Sequence, residues 1–406
     1  MKNNILKNIN TVTIIALITA LTVVNMAIAK HTFRLGNLYY VIMIFSLFVT
    51  FFQSTIRRLN VGMSIIYLAC ILSIILNNID AVYRPWMRFI FFVIVTIVAS
   101  PFIESDFYDK FRVTLFKYIQ NLWILVVILS IPRLVNRYIG FSGFEGFTSH
   151  SMIMSSVGAM SIVTLMYKLY ANKISKIIAI PLIIVAFLCM LLAGSRIAIA
   201  ACLGSIIFFL FRVYRKRMDI FVIIVATIII AMTITFPLWS SYLERIEQKN
   251  KAINIQTGEV DILSSRALIW EQRIREFKDS PIVGIGFGYA PYITGYNART
   301  GNATFMKTET GIVEPGSSWL AIMSMTGMIG LLGFIVLWGG ALKKCFNCEK
   351  YDKYWGAYLS AMLVFISIQM IAEGGIYAAG GVDCFNTWIV VGAIYGSHSI
   401  FNYSRT

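Results

Sequence analysis

Acidic side chains, histidine and proline are all scarce in these 406 residues, which hold 19 Asp and Glu, 3 His and 8 Pro. Charged residues make up only 13% of the chain and hydrophobic ones 58%. That excludes an ordinary soluble domain, in which about a quarter of residues are charged. The acids and histidines form no HExxH-like ligand spacing and there is no phosphate-cradling P-loop, so metal-dependent and ATP-driven chemistry find no support in the residues. The 6 cysteines make no disulfide framework. Cys70, Cys189, Cys202 and Cys384 lie in or at the edge of apolar runs, and the single Cys345-x-x-Cys348 spacing beside Lys343 and Lys344 reads as coincidence. The shortage of acids leaves a net charge of +16, but the basic residues are spread in small groups, which excludes nucleic acid as a partner.

What is abundant is long apolar runs. They fall near residues 11–29, 38–52, 61–77, 86–103, 113–131, 150–168, 176–194, 196–211, 218–238, 316–341, 355–372 and 382–401. Most match the length that spans a hydrocarbon core of roughly 30 Å. The chain is therefore expected to be an all-α polytopic membrane protein of about 12 transmembrane helices, with a membrane domain at 1–236, a long loop at 237–315 and a second membrane part at 316–406. With the N-terminus inside, 19 of the 35 Lys and Arg fall in inward segments, including the Arg212, Arg215, Lys216, Arg217 group. The short outward loops carry Lys30, Arg34, Arg84, Arg88, Arg133, Arg137 and Arg196. The positive-inside bias then puts both termini in the cytoplasm and the long loop outside. Lys2 and Lys7 before a run ending Ala27-Ile28-Ala29 imitate a secretory signal, but the run exceeds the usual 7–15-residue core of such signals, so an uncleaved first span is expected.

Lipid tolerates no irregular backbone, so a water-accessible site belongs to the long outer loop and the span ends around it. Three places there set charge against apolar sequence. Arg196 follows Gly194-Ser195, a tight turn between two spans, and is either functional or a side chain snorkelling to the interface. In ILSSRALIWEQRIREFKDSP, Ser264 or Ser265 can cap a helix that Pro281 stops. Arg266, Trp270, Arg273 and Phe277 would share one face of it, either as a plain amphipathic surface or as the wall of a groove for an anion and a sugar ring. In EPGSSWLAIMSMTGMIGLLGF, Pro315 and Gly316 break the backbone and Ser317 or Ser318 caps the tenth span beside Glu314. Glu309, Glu373 and Asp383 are further outer acids, and His150 opens the sixth span. GIGFG, at 284–288, follows a helix rather than a strand and is expected to be a flexible turn, not a dinucleotide loop.

The order GFEGFTSHS, GSR between two spans, SSRALIWEQRIREFKDSPIVGIGFG, then EPGSSWLAIMSMTGMIGLLGF resembles the O-antigen polymerase and ligase superfamily over residues 143 to about 335. The resemblance implies a GT-C-like helical fold at the bacterial inner membrane. It also implies metal-independent, inverting glycosyl transfer at the periplasmic face, without a cofactor, from an undecaprenyl-diphosphate-linked oligosaccharide. A flippase and a chain-length regulator are the partners such enzymes keep. Arg196 and Arg266 match the family's two arginines and are the implied diphosphate ligands; Arg273, on the same helix face as Arg266, is a further candidate for that role. Ser317, Ser318 and Trp270 would position the acceptor or the helix start, and Glu314, then His150, then Glu373, are candidates for the base. Ligases carry a histidine four residues before a leucine that is followed seven residues later by glycine; counting back from Gly327 through Leu320, Gly316 stands there instead. A polysaccharide polymerase is thus expected, with an O-antigen ligase that passes glycan to lipid A core as the alternative. Among other classes the rival is a lipid-linked oligosaccharide flippase or transporter, disfavoured because no repeat relates the two halves and the long loop has no counterpart.

Overall fold

The computed structural model describes residues 2–55, 58–136, 143–227, 264–296, 303–307 and 315–403, with Ile230, Thr233 and Val313. The helices are α1 (Lys2–Ile28), α2 (Leu38–Phe52), α3 (Val61–Leu76), α4 (Pro85–Ala99), α5 (Asp106–Leu129), α6 (Ile131–Val135), α7 (Ser151–Tyr170), α8 (Lys176–Ala193) and α9 (Arg196–Tyr214). They continue with α10 (Met218–Thr227), α11 (Ser264–Asp279), α12 (Ser318–Cys348), α13 (Lys353–Ala372) and α14 (Val382–Tyr403). Among the described residues, eight helices are long and apolar enough to cross a membrane; α2, α3 and α10 are shorter apolar helices. This is an all-α polytopic membrane protein.

Each expected span has a helix, and the boundaries shift where polar residues are absorbed into the bundle. The fifth starts at Asp106 rather than near 113 because Ser105 caps it, accepting from the Tyr108 N–H, and because Arg112 is taken inside. Arg112 has no exposure, and its guanidinium donates to the carbonyls of Ile97, Val98 and Ile103 with Asp109 3.9 Å away. The guanidinium thus satisfies carbonyls around the end of α4 that lipid could not.

At the centre runs α14, against α4, α5, α12 and α13, with Cys384, Phe385, Trp388, Ile389 and Ala393 wholly buried. Around it α13 packs on α7, α9 and α12, α3 lies along α12, and α1 lies along α5. Links between elements mark the two ends of the bundle. At one end, Ser149 N–H donates to Ala27 O, Phe144 N–H to Leu192 O and Ser318 N–H to Glu373 O. Here also sits everything described of the long loop. At the opposite end Arg58 pairs with Glu104 across the two-residue strands β1 (Arg58–Leu59) and β2 (Ile103–Glu104), and Arg212 grips both carboxylate oxygens of Glu349 at 2.6 Å.

The long loop also holds an antiparallel hairpin, β3 (Tyr292–Tyr296) with β4 (Ala303–Lys307). The expectation of helices alone there missed it. The alternation is short and the polar tract between the strands gave no turn signal of the usual two-residue kind.

Candidate functional site

The structure replaces the expected flexible turn at GIGFG with a buried wedge. Pro281 stops α11, and the chain then inserts between α3, α4 and α12 instead of lying on the surface. It seats where α12 breaks: Gly327 has φ 62 and ψ −161 within that helix. The break frees backbone groups in α12, and the wedge satisfies them. Met328 N–H donates to Pro281 O at 2.8 Å, Ile329 N–H to Ile282 O at 3.3 Å, and Ile285 N–H donates to Ser324 O at 2.8 Å. Asn77 Nδ2 on α3's C-terminal side donates to Gly284 O, and Ser73 Oγ to Met325 O. Buried irregular backbone survives only when protein satisfies it. Two glycines permit the approach: a Cβ at Gly284 would stand 2.4 Å from the Met325 carbonyl carbon, and one at Gly327 2.2 Å from Ile282 O. Phe287 then locks the tip, fully buried with its ring 5.0 Å from Tyr377 and 5.7 Å from Phe92.

α11 lies across the start of α12. Its buried face runs through Ile269, Arg273 and Glu276, positions separated by four and three residues as one helical stripe requires. Arg273, expected beside Arg266 and Trp270 on a ligand-facing surface, is only 1% exposed and pairs with Glu276 at 2.9 Å. Gln272 Nε2 also donates to Glu276. Sequence reading had no role for Glu276. The cue was its spacing of three from Arg273 on the stripe. Trp270 Nε1 donates to Gly316 O at 3.3 Å. Gly316 takes φ +68, and a Cβ there would meet Ile269 Cγ2 at 2.6 Å. Ser317 caps α12, accepting from the Leu320 N–H and donating to Met370 O, while Ser318 Oγ donates to Glu373 O. Trp270, Ser317, Ser318 and Glu373 are thus brought together where α11, α12 and α13 meet.

Two predictions arise from this joint. Burial pushes the Glu276 carboxyl above the ordinary carboxylate range, against the opposing pull of Arg273. Because the folded pKa is raised, folded protein holds more proton than unfolded between the unfolded and folded values, so stability falls as pH rises through that window. Glu276→Gln should flatten this fall in thermal melting followed across the mildly acidic range. Trp270→Phe keeps the ring but loses the bond to Gly316, and should cost about 1 kcal/mol in denaturation in mild detergent.

Beside the wedge lie two openings that share Arg88. One is a cavity of ≈ 100 Å³ lined by Arg88, Phe287, Gly288, Val313, Pro315, Ala321, Met325, Gly374, Tyr377 and Ala378. The other is an open groove of ≈ 780 Å³ that includes Asn37, Tyr40, Tyr83, Arg84, Arg88 and Phe91. Arg88 Nε donates to Tyr83 O at 2.7 Å, and Gly288 packs against the Arg88 stem, where a Cβ would come 2.8 Å from Cδ. Arg84 caps α4 with φ 48, a conformation costly for a side-chain-bearing residue. Sequence reading counted both arginines only as loop charge. Their spacing of four around Pro85, which starts a helix, was the available signal.

The remaining candidates are spread over the same end. Arg196 is the first residue of α9, exposed, after Ser195, whose side chain accepts from the Ala198 N–H. His150 is exposed and caps α7, its Nδ1 accepting from the Met152 N–H at 3.1 Å. Glu373 ends α13, half-buried. Arg266 lies in the first turn of α11. Glu314 and Glu309 lie outside the described residues.

The helical bundle is that of a multi-pass membrane protein, and one end of it is shaped by a buried wedge, a cavity and an arginine-lined groove. Residues 181–335, from within α8 through the break in α12, match the family model described as O-antigen ligase. That match makes this segment, somewhat more than a third of the chain, similar to O-antigen ligases. No curated protein matches the chain.

Proposed function

We propose that this protein is a polysaccharide polymerase, which transfers a growing glycan from undecaprenyl diphosphate to a lipid-linked repeat unit at the periplasmic face of the inner membrane. The observation that carries polymerase over ligase is Gly316. Ligases of the superfamily bear a histidine at the matching place, whereas here the backbone is left-handed and Ile269 fills the space a side chain would need. A His substituted there would be strained and crowded.

In this reading both termini are cytoplasmic and the wedge end is periplasmic, in line with the distribution of Lys and Arg. Arg196 and Arg266 hold the diphosphate, and Arg88 and Arg84 extend the cationic wall along the groove toward the lipid. Arg273, buried against Glu276, is a positioning residue that fixes α11 on α12. A hydroxyl oxygen of the acceptor sugar attacks the anomeric carbon with inversion. The bond from that carbon to the diphosphate oxygen breaks, the electron pair leaves with the diphosphate, and a carboxylate takes the hydroxyl proton. Glu314 is proposed as that carboxylate from its sequence position between Val313 and Pro315, which line the cavity; the His150 imidazole is the second candidate for the base and Glu373 the third. No metal is required, because guanidinium groups in a partly dehydrated site stabilise the departing charge.

Deletion of the gene tests the reading on a gel of surface glycan. A single repeat on lipid A core is expected of a polymerase; full-length polymer accumulating on the lipid carrier would make the protein a ligase. Purified protein should lengthen lipid-linked repeats without an energy source. Movement of the lipid across vesicles without lengthening would show a flippase instead.

A further inference from the structure

The end of the bundle opposite the wedge holds a second polar cavity, which the transfer reaction does not use. It has a volume of ≈ 240 Å³ and lies between α5, α7 and α13. Three ammonium groups border it, those of Lys117, Lys168 and Lys173, together with Gln120, Thr164 and Tyr358. No carboxylate lines it. Asp352, which caps α13 by accepting from the Trp355 N–H at 2.9 Å, is not among the lining residues but stands near enough to act on Lys117.

Deep in the cavity stands Gln120, 2% exposed. Tyr358 OH lies 2.9 Å from Thr164 Oγ1, which lies 3.1 Å from Gln120 Oε1. Gln120 Oε1 shares the single Thr164 hydroxyl proton with Met160 O, 2.8 Å from Thr164 Oγ1, while the buried Nε2 has no hydrogen-bond partner among the described residues. A buried donor left unmet costs about 1–3 kcal/mol and is rarely retained without a reason. The lysines are held close by: Lys117 Nζ sits 5.1 Å from the Trp355 ring centroid, Lys168 Nζ donates to Asn121 Oδ1 at 2.6 Å, and Lys173 donates to Tyr167 OH. Their cation–π and hydrogen-bond contacts leave ammonium protons to spare, since each has three.

We infer that this cavity binds a phosphate group. Gln120 Nε2 and the three ammonium groups that line the cavity are all donors, three of the four carry charge, and the volume is below the roughly 300 Å³ at which drug-sized ligands are held. A headgroup-sized anion fits that description, and a glycan repeat does not. Basic pockets between spans on the Lys- and Arg-rich side take anionic headgroups. The phosphate is therefore either that of a membrane lipid or a free ion.

The test uses the full-length protein in nanodiscs of phosphatidylcholine, with and without phosphatidylglycerol, read by thermal melting and by native mass spectrometry of retained lipid. Inorganic phosphate titrated into the phosphatidylcholine discs forms the other arm. A saturable rise in melting temperature with phosphatidylglycerol alone identifies a lipid headgroup, and one with inorganic phosphate identifies the free ion; either supports the site. Gln120→Leu and Lys168→Gln should each weaken that binding about tenfold, the loss of one charge-assisted or buried bond. The control removes charge elsewhere at the same end, in the basic groove containing Arg215, Lys343 and Lys350. Lys343→Gln with Lys350→Gln should leave the binding unchanged. If this control weakens binding as much as Lys168→Gln does, or if neither probe raises the melting temperature, the cavity is not a phosphate site.

Discussion

Replacing Arg266 or Arg196 with alanine is expected to abolish long chains while leaving the protein in the membrane at normal level. Each guanidinium is proposed to meet charge that develops as the diphosphate departs. Removing one such preorganised donor typically lowers a rate by about 10²–10³. Polymer length depends on many successive transfers, so a loss of that size in each step leaves only short products. Lysine at either position keeps the charge but not the planar fork that bonds two oxygens at once, so partial rescue is the expected pattern. Surface glycan resolved on a gel, with membrane content checked by immunoblot, reads both outcomes. Normal-length polysaccharide from both alanine variants would sink the assignment of these arginines.

The second large effect is expected at Gly327, which touches no proposed substrate group. Its φ of 62 and ψ of −161 fall in a region essentially reserved for glycine. A methyl group there would stand 2.2 Å from Ile282 O, a backbone atom with little freedom to retreat. Gly327→Ala should therefore cost about 3 kcal/mol or more, combining backbone strain with displacement of the wedge. Denaturation in mild detergent measures the stability, and polymer-forming activity should fall with it because the cavity wall at Met325 and Phe287 moves. Gly339→Ala, whose added Cβ would meet nothing within 4 Å, is the matched control within α12 and should leave both nearly unchanged. A Gly327→Ala protein as stable as this control would mean that the wedge is not seated as described.

The spans were legible because apolar runs of bilayer length have no competing explanation at this composition. One cap was legible too: Ser317, one of the two serines expected to cap the tenth span, caps α12, whereas at Ser195 and His150, which also cap helices, the sequence announces only a turn and a span start. Long-range closeness was not. GIGFG reads as a loose turn until one knows that α12 breaks at Gly327 and offers unpaired backbone groups to receive it, a match between segments that no local pattern announces. Arg84 and Arg88 look like ordinary loop charge because their value comes from the wedge, which lies some 200 positions later and packs Gly288 against Arg88. Arg112 looks like a cytoplasmic surface residue because sequence does not reveal the three carbonyls that draw it inside. Arg273 keeps the expected helical spacing, and what the sequence did not announce is Glu276, a buried counter-charge three residues on along the same stripe.

The seat of the wedge also orders events during synthesis. Residues 281–290 leave the ribosome before Ser324, Met325 and Gly327, which lie roughly 40 positions further on. At the usual pace of elongation that interval lasts on the order of seconds. For that time the carbonyls of Pro281 and Ile282 lack the α12 N–H groups of Met328 and Ile329 that they meet in the finished fold, and water must stand in for them. Only when α12 has entered and bent can it sink into place. Assembly of the wedge end is therefore among the late steps in the life of each new chain, and a truncation before α12 would leave the bundle with an open seam rather than a smaller complete fold.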